Sequence, residues 1–335
     1  MATLAANNPT LLDVSKRLDP DGKIASIVEI LNASNDVLQD MSFVEGNLPT
    51  GHRTTIRTGL PTPTWRKLYG GVQPTKSTTA QVTDSAGMLE AYAEVDKALA
   101  DLNGNSAAFR LSEDAAHIEG MSQEMASTLF YGNEGSEPEA FTGLAPRFNS
   151  LSAQNSDNII DFGGTGSDNM SIWLCVWGPN TGHGIYPKGS IGGLQMTDKG
   201  QVTIENVDGA GGRMEGYRTH YRWDCGLTIR DWRYFVRIAN IDFSVLNAGD
   251  AGAITAQKAL ITAMIKATER IPALGKGRAA FYVPRNIREN LRLGILERTS
   301  NNLSWETVEG KRVMTFDDIP VRRTDALVNT ETRVV

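Results

Sequence analysis

The chain is poor in the groups from which most enzyme and metal sites are built. Two cysteines, Cys175 and Cys225, among 335 residues exclude a disulfide framework. The four histidines, His52, His117, His183 and His220, have no His or Cys at ligand spacing, so local sequence builds no metal site. No apolar run is long enough to span a bilayer, and residues 1–12 lack the basic start and apolar stretch of a secretory signal. A soluble protein without a membrane partner, made in a cytoplasm, is the expectation. A basic excess is missing too: the formal net charge of -6 is the wrong sign for a dedicated nucleic-acid reader.

The reactive residues that are present are poorly arranged for catalysis. His220 and Cys225, with Asp224 beside them, come nearest to a nucleophile and base, but residues five apart on a strand point to opposite faces. A buried thiol and a surface imidazole are the plainer reading. The runs Gly163-Gly-Thr-Gly166 and Gly209-Ala-Gly-Gly212 lack the Gly-Lys-Ser/Thr ending of a phosphate loop and read as turns. Adjacent carboxylates such as Asp317-Asp318 and Glu113-Asp114 diverge instead of facing one bond. No catalytic, cofactor-binding or metal-binding residue is assigned, and no cofactor is expected.

With an apolar share of 40% and a charged share of 21%, the chain can bury a substantial core. Its organising stretch is a single long helix predicted over about 105–131, opened by Asn105 or Ser106 and stopped by Gly132-Asn133. Leu111, Ala115, Ile118, Met125 and Leu129 recur at helical spacing and predict its buried face. At a rise of 1.5 Å per residue the rod would run roughly 40 Å. Before it lie a possible amphipathic helix opening at Asp21 or Gly22 and a threonine-rich segment over 48–85. That segment holds Pro49, Pro61, Pro63, Pro74 and Gly70-Gly71, with β-like runs only at 54–57 and 64–69. It makes at best a two-stranded ribbon, which is marginal alone in water and requires a partner surface.

Residues 88–102 fit a short helix or a strand turning into one. Strands are predicted at 172–177, 202–207, 226–229, 232–238, 279–283, 313–316 and 319–323, with glycine turns at 182–184 and 208–212. Helices are predicted over 255–270 and from Pro284 through Ile295. The fold class is therefore α+β. Arginines and aromatics interleave from Tyr217 to Arg237, a composition that favours protein contact over base stacking because Asp224 and Asp231 sit among them.

Several stretches carry a resemblance in their order along the whole chain: Gly87-Met-Leu-Glu-Ala-Tyr-Ala-Glu-Val95, Ala107-Ala-Phe-Arg-Leu111, Leu129-Phe-Tyr-Gly-Asn133, Phe141-Thr-Gly-Leu144, Ile185-Tyr-Pro-Lys-Gly189, Arg218-Thr-His-Tyr-Arg-Trp-Asp224 and Ile319-Pro-Val-Arg-Arg-Thr-Asp325. The sequence resembles the major capsid protein of tailed double-stranded DNA phages, of the Hong Kong 97-type (Johnson) fold, in particular that of the epsilon-fifteen-like short-tailed phages.

The resemblance implies an N-terminal arm over 1–48, an extended β-loop over 49–87 and a peripheral domain over 88–158 containing the spine helix. An axial domain over 159–310 and a return to the peripheral domain over 311–335 complete the scheme. It further implies pentamers and hexamers tiling an icosahedral virion shell around double-stranded DNA held without sequence-specific contact. Scaffolding protein, portal and a decoration protein are the implied partners, and assembly takes place in the host cytoplasm. Arg53, Arg57, Trp65, Arg66 and Tyr69 on the loop, with Arg110, Glu113 and Glu119 on the rod, are the expected inter-subunit contacts. An encapsulin-like compartment shares the fold, and portal and packaging genes nearby would separate the two. A hydrolytic enzyme would instead be a stable monomer.

Overall fold

A computed structural model describes residues 35–102, 106–205, 211–248, 251–296, 303–308 and 311–335. The expected helix opening at Asp21 or Gly22, most of the arm and the Asn105 cap lie outside the described residues. The strands in chain order are β1 (Phe43–Glu45), β2 (Gly51–Gly59), β3 (Thr78–Asp96), β4 (Ile159–Asp161), β5 (Asn169–Trp177), β6 (Gly182–Tyr186) and β7 (Gln195–Glu205). They continue with β8 (Arg213–Ile229), β9 (Phe235–Asp242), β10 (Arg278–Val283), β11 (Leu303–Val308), β12 (Lys311–Phe316) and β13 (Ile319–Arg323). Among the described residues three helices exceed two turns: α1 (Ser106–Tyr131), α2 (Ala251–Arg270) and α3 (Arg285–Leu296). The strand-then-helix reading of 88–102 is the one adopted, since β3 runs directly into a single-turn helix, Lys97–Ala100.

The chain divides into two compact units. The larger, residues 35–87, 127–192 and 225–335, contains a seven-stranded sheet ordered β11-β12-β13-β10-β5-β9-β4. Between β10 and β9 lies β5, whose nine residues are all buried, as an almost unbroken apolar run demands when both faces of a strand are covered. Trp173, Trp177, Tyr282, Phe235 and Phe281 fill this core in edge-on contacts, with Trp177 Nε1 donating to the Tyr282 hydroxyl at 2.8 Å. In the same unit β6 pairs with the end of β8, and β2 pairs with the first half of β3. In the smaller unit, residues 88–126 and 193–224, β7 pairs with Arg213–Arg222 of β8. Val95, Ala100 and Phe109 form a small core there, against Leu99 and Tyr217.

Three sequence expectations are corrected. Residues 64–69 are not a strand: the ladder stops at Gly59 and Thr78, because Pro61, Pro63 and Pro74 offer no backbone N–H. Residues 182–184 are not a turn but the start of β6. There a Cβ on Gly182 would lie 2.3 Å from the Phe235 ring and one on Gly184 would lie 2.6 Å from Phe43, so these glycines serve close packing. The inward stripe of α1 also differs from the apolar one. Phe109, Asp114, Met121, Met125 and Leu129 are buried, whereas Leu111 is 70% exposed and Ala115 is exposed. Polar residues join the inner stripe beside one aromatic neighbour: His117 stacks on Tyr221 at 6.0 Å, and the buried Asp114 carboxylate lies near enough to Tyr221 to help burial raise the pKa of its hydroxyl.

Candidate inter-subunit surfaces

The base of the β2–β3 ribbon is tied down by buried polar groups. The Asp84 carboxylate pairs with Arg147 at 2.8 Å and accepts from the Thr228 hydroxyl at 2.7 Å. The Arg230 guanidinium lies 3.2 Å from His52 Nε2, and the His52 and His183 rings meet edge-on at 6.0 Å. Burial and the adjacent Arg230 charge lower the pKa of both imidazoles, with His183 brought down to about 4. Neutral imidazoles beside an arginine suit a site that would not tolerate a further positive charge. None of these residues was singled out from the sequence, because each partner lies far away along the chain.

The tip is the reverse. Every residue from 60 to 77 except Gly70 is exposed, including Leu60, Leu68 and Val72. Trp65 and Tyr69 stand fully in solvent, at 102% and 104% exposure. Tyr69 also takes a φ of 63°, a left-handed conformation rare for an aromatic residue, within a turn closed by the Gly70 N–H donating to the Lys67 carbonyl at 3.0 Å. Arg57 and Arg66 are exposed, and Arg53 reaches only as far as Thr83 Oγ1 at 3.2 Å. Removing one such aromatic side chain from water is worth roughly 4–6 kcal/mol in gross transfer terms. All five loop residues expected at contacts thus lie on one exposed ribbon, and the apolar Leu60 and Leu68 join them. Their signal was a threonine-rich segment punctuated by prolines, with too little apolar content to form a core.

The rod residues are already engaged within the subunit. Arg110 pairs with Asp198 at 2.6 Å and lies 4.9 Å above the Tyr217 ring. A backbone bond from Gly200 and the Arg110 charge hold the Asp198 carboxyl below its usual pKa. Glu119 accepts from the Gln123 amide at 2.7 Å, and Glu113 is half-buried. Much of the 217–237 cluster is likewise paired or buried within the subunit. Arg218 pairs with Glu94, Arg222 with Asp224, Arg233 with Asp231 and Arg237 with Glu331, while Tyr221, Trp223 and Tyr234 are buried.

No convergent reactive constellation is visible among these residues. Burial pushes the thiols of Cys175 and Cys225 up, that of Cys225 to about 12, which leaves negligible thiolate at neutral pH. His220 contacts Glu90 at 3.2 Å and stacks on Tyr92 at 4.5 Å. Among the described residues no cluster of His, Cys, Asp and Glu could hold a metal ion, and no helix is long and apolar enough to cross a membrane.

A long helix, a seven-stranded sheet and an exposed ribbon anchored at one end define a structural subunit of the kind from which phage capsids are made. The chain belongs to the family described as major capsid protein GP7, whose profile matches residues 19–335. The structure is similar to that of bacteriophage epsilon15, with 39% identity, a TM-score of 0.76, and coverage of 100% of this chain and 99% of the other. More remote similarities include the bacteriophage JBD30 capsid, at 10% identity, TM-score 0.48 and coverage of 96% and 99%. Another is the SrpI encapsulin of Synechococcus elongatus PCC 7942, at 12% identity, TM-score 0.41 and coverage of 69% and 96%. At those distances neither adds to the assignment. No curated protein matches the chain. It is accordingly a bacteriophage major capsid protein, a structural component of the virion capsid.

Proposed function

We propose that copies of this chain associate as pentamers and hexamers and close into an icosahedral shell around phage double-stranded DNA. The observation that carries this reading is the ribbon: its base is locked by the buried Asp84, held by Arg147 and Thr228, while its tip holds Trp65, Leu68 and Tyr69 in water. A segment with that exposure is satisfied by a neighbouring copy, with Arg53, Arg57, Trp65, Arg66 and Tyr69 forming the contact. Arg110, Glu113 and Glu119 make polar contacts along the rod. The assembled subunit has an arm over 1–48, an extended loop over 49–87, a peripheral domain over 88–158, an axial domain over 159–310 and a return over 311–335. A net charge of -6 fits a container that holds DNA without reading it. A scaffolding protein, a portal and a decoration protein are its partners, and it is made in the bacterial cytoplasm.

Each contact nets a modest affinity after association costs, so misplaced subunits can leave, whereas many contacts together make the shell durable. Deleting residues 61–74 tests the reading. The expected outcome is a folded subunit that forms no heat-stable particles under electron microscopy. Normal particles with unchanged heat resistance would overturn it.

A further inference from the structure

One side of α3 carries Arg285, Arg288 and Arg292, three and four residues apart, so that their guanidinium groups line up along the helix. Arg323, the last residue of β13, joins them, and with Glu289 and Leu293 the four line a groove of about 360 Å³. Arg285 is answered by Asp325 at 2.7 Å. Arg288 is not so well served: its Nε is buried with no hydrogen-bond partner among the described residues. Burial, then the charges of Arg323 and Arg292, lower its pKa, with Asp36 acting in the opposite direction. A buried donor without an acceptor, set among like charges, is costly until an anion arrives.

The same unit presents the opposite charge elsewhere. After α1 the chain turns through residues 133–139, all exposed, with Glu134, Glu137 and Glu139 within six positions. The loop is preset: Gly135 N–H donates to Asn133 Oδ1 at 3.0 Å, Ser136 and Glu137 N–H groups donate to the Asn133 carbonyl, and Ser85 Oγ donates to Glu134 at 2.8 Å.

We infer that the arginine groove of one copy receives Glu137 and Glu139 from the 133–139 loop of a second copy. The inference rests on the shell reading and names one of its contacts. Carboxylates suit the guanidinium fork, which takes two parallel hydrogen bonds. The groove is short enough for one or two such side chains, and Glu289 on its rim would repel the continuous phosphate charge of a duplex. Loop and groove are different patches, so the contact is heterologous and propagates around a ring.

A charge swap in phage-infected cells tests it, with particles counted by electron microscopy and each purified subunit checked by thermal melting. Arg288→Glu, the more exposed Arg292→Glu, and the pair Glu137→Arg with Glu139→Arg should each lower particle yield by about tenfold or more while the subunit still folds. Combining Arg288→Glu and Arg292→Glu with the two loop reversals, which leaves the groove acidic beside Glu289, should restore yield to within about threefold of the unaltered chain. Single reversals that leave yield unchanged, or a combination no better than its worst member, overturn the contact while shells of the unaltered chain uphold the capsid reading. Particles formed in normal number but short of DNA would place phosphate in the groove and overturn the contact. Failure of the unaltered chain to form shells overturns both.

Discussion

Two segments of the larger unit lack regular structure, the C-terminal tail after β13 and the ribbon tip over 60–77, and they solve that problem in opposite ways. The tail is bound from within. Glu331, with a side chain 4% exposed, accepts from the Arg237 guanidinium at 2.7 Å, from the Tyr131 hydroxyl at 2.5 Å and from the Ser171 hydroxyl. Its backbone bridges to Asn169, and the Val334 N–H donates to Asn240 Oδ1 at 2.8 Å. Leu327 and Val334 are buried. The tip has little of this: its apolar side chains face water, and its hydrogen bonds include the Lys67–Gly70 turn and one from the Thr75 hydroxyl to the Thr62 carbonyl at 3.3 Å. Irregular backbone is stable wherever its polar groups are paired and its apolar groups covered, whether the cover comes from the same chain or another.

The comparison can be broken most sharply at Glu331. Glu331→Ala leaves Arg237 charged, buried and short of its carboxylate, and should cost the subunit about 3–5 kcal/mol in denaturant unfolding. A cost below about 1 kcal/mol would mean that the tail is not held by this pair. Next in size is the double change Trp65→Ala with Tyr69→Ala. Subunit stability should move by no more than about 0.5 kcal/mol, since both rings stand fully in solvent, while assembled particles weaken by about 2 kcal/mol or more per contact. Equal loss in subunit and particle would place the tip in the subunit's own core.

The smallest effect is the pH dependence at the ribbon base. The folded pKa of His183, about 4, lies below its ordinary value of 6.5. Its contribution to stability is therefore fully present above pH 6.5, declines as pH falls because the unfolded chain binds the proton first, and is lost by about pH 4. Unfolding curves of the intact chain and of His183→Gln between pH 7 and pH 4 should converge toward the acid end; parallel curves would exclude His183 as the source.

Much of this architecture is legible locally. Gly132-Asn133 ends α1 where the sequence places the stop, and Pro284 opens α3 as a residue without an N–H can. The exposed tip was legible too, because prolines at 61, 63 and 74 deny it a ladder. The arginines at 285, 288 and 292 stood at helical spacing, yet nothing in that spacing showed Arg323 beside them. The composition of the 217–237 cluster did not reveal that Glu94, Asp224, Asp231 and Glu331 stand close enough to pair with its arginines.

By itself the sequence determined much at the level of elements: how long the rod is, where β10 and β13 lie, and which segment has too little apolar content to fold unaided. Those properties follow from interactions within a few residues, namely caps, turns, proline and periodicity. Only the tertiary structure decided which side of α1 turns inward and which charges are spent. Asp84 finds Thr228 across 144 positions, Arg237 finds Glu331 across 94, and His117 finds the Tyr221 ring. Such pairs exist only once the chain has folded, and they separate the residues occupied inside the subunit from those left for its neighbours.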